Sequence, residues 1–170
     1  MSHREHRKED IAFTAVTVSS SRDKGTDKSG PLMSELVENW DYHILKQVII
    51  SDDPDEIVKT IQAAVDSKSR IVILSGGTGL SLRDNTADCL EGLLEKQLPG
   101  FGELFRHLSY QAIGERALLS RAVGGLVGDT LVFALPGAPD AVRLGLEELI
   151  LPVAGHAIYE IDKERKPNEG

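Results

Sequence analysis

An apolar run that leads straight into glycines constrains this chain more than any other stretch. Residues 71–74 read Ile-Val-Ile-Leu, and Ser75-Gly-Gly-Thr-Gly79 follows without a break. A short unbroken apolar run between turn signals marks a strand buried on both faces, which belongs in a parallel sheet. Glycines expose backbone N–H groups with no Cβ in front, so Gly76, Gly77 and Gly79 suit an anion. Arg83 and Asp84 come next, and Asn85 stands where it can cap a helix carrying Leu90, Leu93, Leu94 and Leu98 on one stripe. In open α/β sheets ligands bind beyond the carboxyl ends of strands, and a loop in this order lies there.

The loop is neither of two common phosphate loops. No Gly-Lys-Ser/Thr follows it, so it is not a Walker A loop. Leu82 stands where a dinucleotide fingerprint needs its third glycine. On spacing alone, a ligand loop and a plain turn both remain open.

The rest of the chain alternates apolar strands with amphipathic helices. Residues 11–18 form the first strand, ending at Ser19, and a polar loop to Gly30 carries Lys24, Asp27, Lys28 and Ser29. Ser29 is placed to cap the next helix, with Pro31 in its first turn and Asn39 at a left-handed close. Residues 43–50 form the second strand. Asp53-Pro54 with Glu56 then reads as a capping-box start for a helix striped by Ile57, Ile61, Ala64 and Val65. After the glycine loop and its helix, Phe101, Leu104, Phe105 and Leu108 mark a further helix, and residues 115–122 a short one. Gly128-Asp129 between two apolar arms reads as a hairpin turn, although Gly124 and Gly125 weaken the first arm. Residues 131–135 form a central strand running into Pro136-Gly137, a second loop at a strand end, beside a helix start at Pro139. Pro152 is expected to end that helix and residues 157–161 to form a last short strand. This alternation predicts a three-layer α/β/α fold with a mainly parallel sheet and a small antiparallel edge. One domain, 11–162, is flanked by polar tails at 1–10 and 163–170.

The wording of the loop is more specific than its spacing. Ser75-Gly-Gly-Thr-Gly-x-x-x-Arg83-Asp84-x-Thr86, with Leu135-Pro-Gly-Ala-Pro139 and Ile113-Gly-Glu-Arg-Ala-Leu-Leu-Ser-Arg-Ala122, resembles the MoaB/MogA family of molybdenum-cofactor biosynthesis proteins. The likeness runs from about Phe13 to Ile161 and is nearest the MoaB branch. It implies a reaction in which the terminal phosphate of molybdopterin attacks the α-phosphate of ATP, giving adenylyl-molybdopterin and pyrophosphate. It also implies a homotrimer or homohexamer. The resemblance assigns Asp52, at the end of the second strand, to the pterin or metal region. Asp53 is the alternative there, with an ordinary capping role. The substrate brings its own nucleophile, so positioning and charge neutralisation carry the catalysis.

With a formal net charge of −8 the chain is no general nucleic-acid binder, and it must neutralise a triphosphate locally. The expected binding groups are Ser19, Asp27, Ser29, Gly76, Gly77, Thr78, Gly79, Arg83, Pro136 and Gly137, with Lys24 or Lys28 as further cations. Asp52 and Asp84 are the expected catalytic pair, holding Mg²⁺ as the cofactor. That ion takes a few carboxylate oxygens with phosphate and water. The alternatives for Asp84 are a local ion pair with Arg83 or an anion at the helix start. Cys89 is the only cysteine, which excludes an intrachain disulfide and fits the cytoplasm, and it reads as packing volume. No apolar run approaches the roughly 20 residues of a membrane span. Two other functions stay open: a non-catalytic holder of molybdopterin or nucleotide, and a related domain of nucleotide metabolism.

Overall fold

The computed structural model describes residues 8–163. The expected tails at 1–10 and 163–170 lie outside it, apart from Lys8–Asp10 and Lys163. Lys8–Asp10 forms a 3₁₀ turn, and Lys8 Nζ lies 5.3 Å from the Trp40 ring centroid and 5.4 Å from that of Tyr42.

Six strands form one sheet in the order β2-β1-β3-β6-β5-β4. They are β1 (Ala12–Val18), β2 (His43–Ile50), β3 (Ile71–Ser75), β4 (Lys96–Gln97), β5 (Val123–Val127) and β6 (Thr130–Leu135). The first four in spatial order are parallel, and β5 and β4 add an antiparallel edge. Helices α1 (Ser29–Asn39), α2 (Pro54–Asp66), α3 (Thr86–Leu93), α4 (Pro99–Ile113), α5 (Pro139–Leu144) and α6 (Leu151–Asp162) cover both faces. Side chains alternate across each strand, so the two faces carry separate cores. Phe13, Ala15, Ile71, Ile73 and Phe133 pack with α1, α4, α5 and α6. Val16, Val18, Val72, Leu74 and Val132 pack with α2 and α3. The α/β/α expectation is therefore met.

Register brings the strand ends level. Thr17 pairs with Ser75, and Ser75 with Leu135, while Val18 pairs with Ile50. Ser19, Asp52, Gly76 and Pro136 consequently emerge at one end of the sheet. The chain leaves β1 for β2 through α1 on one face, and leaves β2 for β3 through α2 on the other. That reversal opens a crevice between the ends of β1 and β3.

Four local expectations are corrected. Residues 157–161 are helix, not strand: Leu151, Ala154 and Ile158 are buried at helical spacing in α6. Pro152 does not stop the chain, because a π-helical turn, Gly145–Ile150, precedes it and Pro152 falls in the first turn of α6. The helical run continues through Pro152: the Leu151 N–H donates back to Leu146 O, so the wider π bonding register lies immediately before the proline ring. Helix α3 ends at Leu93, so Leu98 is not on its stripe; Lys96–Gln97 pair with β5 instead. The short helix expected at 115–122 is present as a 3₁₀ helix, Gly114–Leu119, and stops three residues sooner. On α4, Phe101, Phe105 and Ser109 are buried while Leu104 is exposed.

Candidate active site

Backbone conformation alone demands the first two glycines. Gly76 has φ 107° and Gly77 φ 71°, a region closed to most side chains. A Cβ on Gly76 would lie 2.4 Å from the Val18 carbonyl oxygen, and one on Gly77 would lie 2.2 Å from Thr86 Oγ1. The loop is thus wedged between the end of β1 and the start of α3. The Gly76 N–H donates to Leu135 O at 2.9 Å, so it is not free for an anion as the sequence suggested. The N–H groups of Gly77, Thr78 and Gly79 have no partner among the described residues. Three consecutive amides are left open at a strand end, in the manner of an anion-binding nest.

Beside them is a cavity of about 210 Å³ lined by Ser19, Ser20, Ser21, Asp52, Gly77, Arg83 and Asp84. Asp52 is fixed through its backbone. Its N–H donates to Ser20 Oγ at 3.3 Å, and its carbonyl accepts from Asn85 Nδ2 at 3.1 Å. Its carboxylate has no partner among the described residues. Asn85 therefore ties α3 to the Asp52 loop, rather than capping with its side chain as expected. Asp84 accepts the Ser81 N–H at 2.9 Å through Oδ2, leaving Oδ1 open. No ion pair joins Arg83 to Asp84 among the described residues, which removes the ion-pair alternative; Asp84 stands two residues before α3, where the helix-start alternative places it. Two half-buried carboxylates with open oxygens, next to open amides, match the donor set of Mg²⁺ shared with phosphate. A larger groove of about 690 Å³ lies between β2 and α2, and none of the glycine loops reaches it.

Other expected residues have different work. Asp27 is 7 % exposed. It accepts Thr17 Oγ1 at 2.8 Å and the N–H groups of Ser29 at 3.0 Å and Gly30 at 3.2 Å. Asp27 is thus the capping carboxylate of α1, and Ser29 is not its cap. Ser29 Oγ instead donates to Gly137 O at 2.9 Å, binding the start of α1 to the loop after β6. So Gly137 offers its carbonyl inward, where a donor had been expected. Ser19 Oγ accepts the N–H groups of Ser21 and Arg22, which fixes the turn after β1. Asp41, at φ 63°, takes the left-handed position foreseen for Asn39. Asp53 caps α2 as read, accepting Glu56 N–H at 3.1 Å. Lys24 and Lys28 are exposed. Cys89 is half-buried, and burial, then the charges of Asp88, Asp53 and Asp55, push its thiol pKa up, which suits packing and not a nucleophile.

Arg121 was missed. Its Nε donates to Gly79 O at 3.0 Å and its Nη2 to Asp84 O at 2.9 Å. Nη1 and Nη2 grip the Asp88 carboxylate at 2.8 and 3.0 Å, and its N–H donates to Thr78 O at 3.1 Å. One side chain thus pins both ends of the loop and the start of α3. The bidentate bond holds Asp88 below the ordinary carboxylate range and raises Arg121 further. A signal was present: Arg121 is the only charged residue between Arg116 and Asp129.

Comparison with known proteins decides the family. Residues 14–156 match the family described as a probable molybdopterin binding domain. The chain is 40% identical over 169 residues to molybdenum cofactor biosynthesis protein B of Bacillus cereus, covering 96% of this chain and 100% of that protein. The chain belongs to the MoaB/MogA family of molybdenum-cofactor biosynthesis proteins. The Bacillus subtilis protein of the same name is 40% identical over 170 residues, covering 97% of this chain and all 100% of its own. A crystal structure of molybdenum cofactor biosynthesis protein B superposes with TM-score 0.89 at 39% identity, over 93% of this chain and 99% of that one. The tungsten cofactor synthesizing protein MoaB from Pyrococcus furiosus superposes with TM-score 0.82 at 35% identity, over 89% and 96%. As a MoaB/MogA member, the chain carries the family's domain from β1 into α6. Among the described residues no helix is long and apolar enough to cross a membrane.

Proposed function

We propose that this MoaB/MogA member is a molybdopterin adenylyltransferase that works with Mg-ATP as a homotrimer or homohexamer. An oxygen of the molybdopterin phosphate attacks the α-phosphorus of ATP. The bond from that phosphorus to the bridging oxygen breaks, and pyrophosphate leaves with the electron pair. The observation that carries this reading is the run of open amides at Gly77, Thr78 and Gly79 beside two open carboxylates. The amides bind phosphate oxygens, and their dipoles are fixed in advance by the Arg121 contacts, so little reorganisation is needed in the transition state. Arg83, exposed beside the cavity, adds a cation. Asp52 and Asp84 would hold Mg²⁺, which supplies neutralisation of the phosphate charge. The cavity is smaller than the roughly 300–1,000 Å³ typical of small-molecule sites. It therefore suits a phosphate chain, with the base and the pterin lying over the open strand ends.

Pyrophosphate release, measured with ATP, Mg²⁺ and molybdopterin present and with each omitted, tests the proposal. Release should require all three. Binding of molybdopterin with no release, under conditions where an active relative turns over, would replace the enzyme with a holder of the cofactor precursor. Sedimentation velocity checks the assembly, and a monomer at micromolar concentration would refute that part.

A further inference from the structure

The cavity with Asp52 and Asp84 lies on the α2–α3 side of the glycine loop. The α1 side holds a cation to which the reading above gives no role. Arg22 turns back from the end of β1, its N–H donating to Ser19 Oγ at 3.2 Å. Its side chain is half-buried. Only Nη1 has partners, Ser29 Oγ and Gly137 O, each at 3.4 Å. Both are neutral and both are at the long limit of a hydrogen bond. No carboxylate pairs with Arg22 among the described residues. Asp27, close in the chain, is engaged by Thr17, Ser29 and Gly30.

Guanidinium carries five donors in a fork that matches phosphate. Here Nε and Nη2 are bonded to no described group and reach solvent, so they are available to a ligand. The surroundings point the same way. Gly137 packs on Gly76, where a Cβ would lie 3.4 Å from the Gly76 Cα and 3.9 Å from Arg22 Nη1. Glycine at both positions keeps backbone and guanidinium close with nothing projecting between them. Ser75 is 0% exposed and its hydroxyl has no partner. By strand alternation it lies on the same side of the sheet as Ile71 and Ile73, the α1 side.

We infer that Arg22 is a phosphate clamp on the α1 side of the loop, gripping an oxyanion of a phosphate ester or diphosphate laid across Gly76 and Gly137. The ligand's phosphate groups are then held from both sides, by Arg22 on one and by the amides of Gly77–Gly79 on the other. This deepens the phosphate-binding part of the proposed function and rests on it.

The test uses the full chain and inorganic pyrophosphate without Mg²⁺, at low salt, in a titration calorimeter. Arg22→Gln should weaken binding tenfold or more. Arg22→Lys, which keeps the charge but loses the fork, should weaken it less. Unchanged affinity in Arg22→Gln overturns the clamp. Should that variant unfold, the unaltered protein gives the answer: phenylglyoxal labelling of Arg22, mapped by mass spectrometry, should be suppressed by pyrophosphate. Equal labelling with and without pyrophosphate overturns the inference. Loss of turnover in the parent with Arg22-dependent pyrophosphate binding removes the enzyme reading and keeps the clamp. Turnover with normal pyrophosphate binding by Arg22→Gln does the reverse.

Discussion

Asp84 shows how much one carboxylate can decide. Without a cation it is a poor neighbour for phosphate: unit charges about 4 Å apart interact by roughly 4 kcal/mol at an effective dielectric of 20. A bridging divalent ion turns that repulsion into attraction. Asp84→Asn should therefore abolish Mg²⁺-dependent pyrophosphate release. Binding of metal-free ATP should be retained or tighter, because an amide does not repel phosphate. Turnover and calorimetric affinity, each with and without Mg²⁺, check this, and near-normal turnover would remove Asp84 from the metal site. Asp52→Asn should lose turnover likewise. Gly77→Val is unsuitable as a test of the loop. At φ 71°, with Thr86 Oγ1 where the Cβ would go, it strains the fold as well as the site. Arg22→Gln keeps every loop glycine and is the cleaner probe.

Among the elements, the antiparallel edge explains glycines that looked like defects. Gly124 and Gly125 seem ill suited to a strand, since glycine weakens strand interiors. In β5 they permit close approach. A Cβ on Gly124 would lie 2.4 Å from the Phe133 ring, and one on Gly125 would lie 2.2 Å from the Lys96 carbonyl oxygen. The second clash is with backbone, which cannot rotate away. Gly125→Ala should push β4 off β5 and destabilise the fold by about 1–3 kcal/mol, the usual range for overpacking. A urea midpoint shift at unchanged slope would register it. Protection of the Leu98 amide, which donates to Gly124 O at 2.8 Å, should fall in hydrogen exchange. A neutral effect would mean that β4 contributes nothing to the sheet.

Across the whole molecule, acid should act on the clasp between α3 and the segment before β5. Asp88 is held below its ordinary pKa chiefly by the Arg121 bond. A carboxylate with a depressed folded value adds stability that is complete above its unfolded pKa of about 3.9. That stability is lost as pH falls through the lower folded value. Asp88→Asn should thus be less stable than the parent at pH 7, with the gap closing towards pH 2. Side-chain exposures of 33% for Arg121 and 58% for Asp88 keep the gap to at most about 1 kcal/mol. Paired urea melts across that range check the sign, and a gap that widens in acid would refute it.

The sequence by itself determined the architecture and the place of the site. Unbroken apolar runs at 71–74 and 131–135, each closed by a glycine turn, fit strands buried on both faces, and as parallel neighbours they bring their loops to one end of the sheet. Family wording added what chemistry belongs there. Only the tertiary structure decided the roles of individual side chains. Whether Asp27 or Ser29 caps α1 depends on Thr17, a residue of another element. Whether Gly76 offers its amide depends on Leu135 across the sheet. Arg121 and Arg22 act on loops distant in the chain, through contacts that no local pattern encodes. The chain stays helical through Pro152 behind a π turn whose Leu146 and Ile150 are buried in the core, and no local pattern shows that turn, so the proline rule failed there. Local periodicity records which face of an element is buried. Hydrogen-bond partners are chosen only when separate elements meet.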